Sequence, residues 1–247
     1  MLGSVGARAG PRSDAQYGLT VPDEQQVVAV AALPGGDGAP SVVVGHGEHP
    51  RDAAARAVAE QLGRRVEVTS LREVTSHVKG GGRHVLRLVY AVEPRPGPPP
   101  PPPPARPAGE APQVQRAGAY AVLVSDGRIL LSRLGYTKVW TLPGGGIDHG
   151  EDPVDAVRRE VHEETGLDLT APHLLDADSV HFTGHAPDGT LEDFHAIRLL
   201  YGGTVDTSAE PRVVEVGGSS DAAAWRPIAG LDARERQRLS VALSHVP

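Results

Sequence analysis

The chain has 247 residues, 39% hydrophobic and 22% charged, which suits one large or two modest globular domains. Its net charge of −7 gives no general attraction to nucleic acid or to an anionic membrane surface, so neither is expected as a partner. There is no cysteine, which excludes disulfides and thiolate metal sites, and no apolar run long enough to span a bilayer.

Residues 1–24 are polar, carry Gly, Pro and Ser without periodicity, and are expected to form a disordered tail. They lack the apolar centre of a secretory signal, so a cytoplasmic location is the simplest expectation. Residues 27–33 (VVAVAAL) and 41–44 (SVVV) read as buried strands around a PGGDG turn. A helical pattern over residues 50–62 is closed by Gly63, and residues 66–77 and 84–92 read as two further strands. These elements define a first unit over residues 25–93. Residues 94–115 form a proline-rich linker, in which seven consecutive prolines (98–104) favour polyproline II. At ~3.1 Å per residue that run makes a spacer of roughly 22 Å. A docking site for a proline-binding partner is the less economical reading of the same run.

A second unit over residues 116–247 opens with a hairpin pattern, 119–124 and 129–134 about Ser125-Asp126-Gly127-Arg128. A glycine-rich turn, Pro143-Gly144-Gly145-Gly146, then precedes a helix capped by Asp152, with Pro153 first and Gly166 last. Val154, Val157 and Val161 recur at helical spacing and are expected to face a core, with Glu160, Glu163 and Glu164 on the other face. The three carboxylates are spaced i, i+3 and i+4, so they converge and repel. A hard divalent cation with oxygen ligands removes that penalty. A solvated acidic face is the plainer alternative. Strands near 174–182, 194–205 and 222–227 follow, and residues 232–245 read as a closing amphipathic helix.

The stretch from Gly145 to Leu167 resembles the Nudix box of the MutT-like Nudix hydrolases, G-x5-E-x7-R-E-U-x-E-E-x-G-U. Gly145, Glu151, Arg159, Glu160, Val161, Glu163, Glu164, Gly166 and Leu167 match every fixed position at the right spacing. The resemblance implies an α/β/α sandwich with a mixed sheet. It also implies an enzyme that cleaves a nucleoside diphosphate linked to another group, using Mg²⁺ or Mn²⁺. By that resemblance Glu160, Glu163, Glu164 and the carbonyl of Gly145 hold the metal. Glu163 and Glu164 serve catalysis, Glu164 being the first choice of general base and Glu210 or Glu215 the alternatives from a later loop. Glu151 and Arg159 have the charges for a bracing ion pair, and Gly166 ends the helix. Arg133, Lys138 and Tyr136 are candidate contacts to a small-molecule nucleotide. Trp140 and Trp225 read as structural, and His181 and His195 as hydrogen-bonded structural histidines. Among substrates, (d)NTPs, oxidised ones included, stand ahead of ADP-ribose. The rival reading is a non-catalytic nucleotide-sensing module.

The first unit repeats the second. A shift of 103 positions places Gly47-Glu48 on Gly150-Glu151, Pro50 on Pro153, Arg56 on Arg159, Glu60 on Glu163 and Gly63 on Gly166. Further on, His84-x-x-Arg87-Leu88 resembles His195-x-x-Arg198-Leu199. Ala57 and Gln61 stand where the second copy has Glu160 and Glu164, so one carboxylate remains, too few to hold Mg²⁺. The expectation is a degenerate, non-catalytic Nudix-like domain that packs, shapes the cleft or mediates a homodimer.

Overall fold

The computed structural model describes residues 25–36, 38–80, 82–101, 109, 111–186 and 189–246. The expected tail over 1–24 and prolines 102–104 lie outside the described residues. The first half comprises β1 (Gln25–Ala32), β2 (Ser41–Val43), α1 (Pro50–Leu62), β3 (Arg65–Val78) and β4 (His84–Arg95). Its sheet has the order β2-β1-β4-β3, with β1 parallel to β4 and the other pairs antiparallel.

The second half begins with β5 (Gln113–Ala121), β6 (Val124–Ser125), β7 (Arg128–Leu134), β8 (Trp140–Thr141) and β9 (Gly144–Gly146). It continues through α2 (Pro153–Thr165), β10 (Thr170–His185), β11 (Leu191–Thr204), β12 (Ser220–Pro227), α3 (Ala233–Arg238) and α4 (Ser240–Leu243). One sheet has the order β9-β5-β11-β10, again with a single parallel pair, β5 with β11. A second sheet, β12-β7-β6 with β8 on β7, has no counterpart among the described residues of the first half. Helix α2 packs between the two sheets, against β5 and β9 on one side and β12 on the other. The mixed α/β architecture expected from the sequence is present, preceded by a smaller α/β unit.

The repeat extends to irregularities. The β3–β4 ladder slips between Leu71 and Glu73, and the β10–β11 ladder slips between Leu174 and Asp176, which are the equivalent positions. A bulge bends its strand and increases the local twist, so the two ladders bend at matching positions. Both helices have 13 residues, an N-cap side chain accepting from the amide two residues on, and a left-handed glycine at the C-cap.

The halves meet with approximate two-fold symmetry. The Gln25 amide donates to the Ile147 carbonyl and the Gln115 amide to the Val44 carbonyl, each at 3.4 Å. The His46 ring meets His195 at 5.6 Å, and the His149 ring meets His84 at 5.7 Å. A single apolar cluster runs through the junction, joining Val27, Ala29, Leu86 and Leu88 to Ala117, Ala119, Ile197 and Leu199. Arg51 adds an ion pair to Asp176 across it at 2.8 Å.

Three expectations change. The hairpin turn forms at Asp126-Gly127, both with positive φ, but only Val124–Ser125 pairs with β7. Strand β5 instead belongs to the other sheet, held by the Ala121 amide on the Pro143 carbonyl and the Val122 amide on the Tyr201 carbonyl, each 2.8 Å. Its start at Gln113 lies within the stretch expected to be linker. The closing helix is interrupted at Leu239, where φ/ψ of −98°/9° turns this buried side chain inward. No helix among the described residues is long and apolar enough to cross a membrane.

Candidate active site

Helix α2 carries its carboxylates differently from the simple two-faced expectation. Glu160 and Glu164 lie on the buried face with Val157 and Val161, at 5% and 3% exposure, and only Glu163 reaches towards solvent. The reason is the helical repeat, because 157, 160, 161 and 164 are mutual i, i+3 and i+4 neighbours. Apolar and acidic groups therefore share one stripe, with the carboxyls directed at the glycine turn rather than at the aliphatic core.

The turn fits them closely. A methyl group on Gly145 would sit 2.6 Å from a Glu160 carboxylate oxygen, so any side chain there would displace the Glu160 carboxyl from its present seat. The Gly144 amide donates to Glu164 at 3.0 Å, and the Ser220 hydroxyl donates to its other oxygen. Burial pushes the Glu164 carboxyl above the ordinary range against both of those hydrogen bonds. Burial likewise pushes Glu160 up to about 8, with Glu164 and Glu163 adding repulsion and Arg159 opposing it.

Arg159 is the hub of the cluster. It donates two hydrogen bonds to Glu151 (2.9 and 3.0 Å), one to Glu160 (2.7 Å), one to Glu163 (3.2 Å) and one to the Gly146 carbonyl (3.0 Å). The first half keeps this brace except for the Glu160 contact, since Ala57 stands at that position. Arg56 donates to Glu48 at 2.8 and 2.9 Å, to Glu60 at 3.1 Å and to the Val43 carbonyl at 3.1 Å. There Gln61, standing where Glu164 stands, donates to the Ser41 carbonyl at 2.7 Å instead of accepting from an amide. The scaffold is common to both copies; the buried acid pair belongs to the second alone.

Gly144 and Gly145 also line a cavity of about 290 Å³, together with Tyr136, Phe182 and Phe194. The two phenylalanines pair across β10 and β11 with ring centroids 5.5 Å apart, and the Arg116 guanidinium lies 5.7 Å from the Phe194 ring centroid. Of the substrate contacts expected from the sequence, Tyr136 reaches this cavity. Arg133 and Lys138 both pair with Asp221 instead, outside its lining. Glu215 approaches the cluster: its amide donates to the Glu163 carbonyl at 3.1 Å, and burial followed by repulsion from Glu163 raises its carboxyl. Glu210 is exposed on the same segment. His195 is fully buried between Ser179 and Gln115, as a structural histidine should be. Sequence reasoning passed over Ser220, Arg116 and the phenylalanine pair. The last had a signal, since the chain's two phenylalanines fall on consecutive strand patterns.

The NUDIX domain model matches residues 112–243, more than half of the chain and the whole of this site. The chain belongs to the NUDIX family. Among curated proteins, this NUDIX chain is similar to RNA pyrophosphohydrolases of Bartonella bacilliformis and Brucella ovis. The first is 61% identical over 31 residues, 13% of this chain and 18% of that protein; the second is 52% identical over 42 residues, 17% and 22%. The chain thus spans about a fifth of the length of those relatives. A MutT NUDIX hydrolase from Burkholderia pseudomallei is 32% identical over 54% of this chain and 99% of its own, with a TM-score of 0.42. The NUDIX domain of Shewanella oneidensis NrtR, complexed with ADP ribose, is 20% identical over 54% and 90%, with a TM-score of 0.40.

The raised carboxyls of the NUDIX helix have a consequence for metal-free protein. Between the ordinary Glu value near 4.5 and about 8, the folded chain holds a proton on Glu160 that the unfolded chain has lost. Stability therefore falls as pH rises through that window. Thermal unfolding in chelator is expected to show a declining midpoint from about pH 5 to pH 8, with a shallower decline in Glu160→Gln. An equal slope in both proteins would contradict the assignment.

Proposed function

We propose that residues 112–243 carry a divalent-metal-dependent hydrolase that splits the diphosphate of a nucleoside diphosphate linked to another group, and that residues 25–93 are non-catalytic. One observation carries this reading: two buried carboxyls, Glu160 and Glu164, are pressed against a glycine turn that itself walls a nucleotide-sized cavity. A buried acid pair is costly unless a cation completes it, and an all-oxygen donor set suits a hard ion, Mg²⁺ first and Mn²⁺ second. Glu160, Glu163, Glu164 and the Gly145 carbonyl are the ligands in this reading. When bound, such an ion neutralises diphosphate oxygens and makes water a better nucleophile.

The chain's own residues do the rest. Glu164 accepts the proton of the attacking water, its basicity raised by burial and its orientation fixed by Gly144 and Ser220. Glu215 is the alternative acceptor from the later segment. Arg159 and Glu151 keep the helix registered against the turn. Phe182 and Tyr136 offer exposed ring faces for a nucleobase. The substrate is a nucleotide, with (d)NTPs and oxidised dNTPs ahead of ADP-ribose; the names of the short-matching relatives add RNA to the panel.

The test is a phosphate- and pyrophosphate-release screen over (d)NTPs, 8-oxo-dGTP, ADP-ribose, nucleotide sugars and 5′-triphosphorylated RNA, with Mg²⁺ or Mn²⁺. Turnover of at least one class that stops in excess chelator is expected. Tight binding of a nucleotide with no release across the whole panel would favour a sensing module instead.

A further inference from the structure

At the junction of the two halves lies a second donor cluster of different chemistry. His46, in the loop between β2 and α1, faces His181 on β10 and Asp193 on β11, and one ligand atom from each lies within 4.8 Å of the others. Both imidazole Nε2 atoms converge on one carboxylate, His46 at 3.2 Å from one Asp193 oxygen and His181 at 2.6 Å from the other. The His46 and His181 rings meet edge to face at 5.0 Å.

We propose that His46, His181 and Asp193 form a transition-metal site, with Zn²⁺ as the preferred ion, that ties the first half to the catalytic half. Two imidazoles and a carboxylate are a borderline donor set, suited to Zn²⁺ and not to Mg²⁺. Tetrahedral Zn²⁺ with ligands near 2.0–2.1 Å places its donors roughly 3.3 Å apart, which the His46–Asp193 spacing already matches. A small opening of the His181–Asp193 hydrogen bond would admit the ion. Three protein ligands leave a fourth position for water. The side chains are only 13% to 20% exposed, enough for an ion to enter and little enough to hold it. His195 walls the site, both of its ring nitrogens being held by Ser179 and Gln115, so it packs without competing for metal.

The approximate two-fold symmetry of the junction provides an internal comparison. At its other end His149 meets His84 just as His46 meets His195. There, however, Val78 stands opposite His84 in the ladder, where His181 stands opposite His195. Each end of the junction thus carries one such histidine contact. The extra histidine and aspartate occur at one end only, where they add ligands that packing does not explain.

The site is independent of the glutamate cluster, and the test separates them. Full-length protein, stripped with chelator and kept in Mg²⁺, is titrated with ZnCl2 by calorimetry, and bound metal is counted after dialysis. One Zn²⁺ per chain is expected, with CoCl2 giving the visible absorption of a low-coordinate Co²⁺ site. His46→Ala and Asp193→Asn should each weaken binding by roughly 100-fold or more, since outer-shell partners alone are worth 10–100-fold. Glu163→Gln should leave Zn²⁺ binding unchanged. Circular dichroism confirms that each variant is folded, and His46→Gln gives a second, gentler loss of the ligand. Absence of saturable Zn²⁺ binding to the full chain would overturn the proposal, as would a Zn²⁺ count lost in Glu163→Gln but kept in His46→Ala.

Discussion

Replacement of Glu164 by Gln is expected to lower turnover on the order of 10²–10⁴-fold, the usual contribution of a positioned general base, while the fold survives. The side chain is 3% exposed, so substitution by a smaller residue would leave a void and two orphaned donors. Gln fills the same space. Its amide oxygen can accept from Gly144, and its amide group can donate to the Ser220 oxygen, which reverses a hydroxyl contact without breaking it. What disappears is a buried negative charge that the protein holds at a cost, as the upward push on its carboxyl shows. Metal-free Glu164→Gln should therefore unfold at the same temperature as the parent or somewhat higher. Activity falling while stability holds or rises is the combined signature, and steady-state kinetics with thermal unfolding in chelator measures it. Undiminished turnover would remove Glu164 from the chemistry and direct attention to Glu215. A lowered midpoint would mean that the carboxylate serves the fold.

A chain begun at residue 112 is expected to lose soluble monomeric form, even though it contains every residue of the candidate active site. The first half does more than sit beside the second. Val27, Leu86 and Leu88 belong to the same apolar cluster as Ala117, Ala119, Ile197 and Leu199. Removing the cover from a few such side chains costs ~1.5–3 kcal/mol each, against a typical total stability of 5–15 kcal/mol. At about 2–4 °C per kcal/mol for a domain of this size, a fall in unfolding midpoint of more than about 10 °C follows. The approximate two-fold symmetry suggests one rescue: a second copy of the shortened chain can take the vacated place, because Gln115 and Ile147 offer the partners that Val44 and Gln25 now use. Sedimentation or light scattering should find dimer or aggregate. A stable monomer with an unchanged midpoint would show that the shared core is dispensable.

The expectations that succeeded and those that failed divide along a physical line. The caps of α2, its bounding glycine, the Glu151–Arg159 brace and the repeat in α1 are local, fixed by side chains within eight residues of each other, so the order of residues shows them. The partnership of β5 is different. An apolar run followed by Asp-Gly and another apolar run spells a hairpin, but β5 is drawn away by Pro143 and Tyr201, residues distant in sequence whose positions depend on the closed sheet. Arg133 and Lys138 likewise read as candidate nucleotide contacts until β12 brings Asp221 beside them.

The sequence by itself determined the family, the helix that carries the acids and the absence of matching acids from α1, because each is a matter of residue type at fixed spacing. Only the tertiary structure decided that Glu160 and Glu164 face inward onto Gly144 and Gly145. It also decided that a phenylalanine pair lines the cavity and that the two halves share a core with His46, His181 and Asp193 at one end. The reason is the same in each case. Periodicity states which residues share a face, whereas what that face meets depends on contacts between elements far apart along the chain.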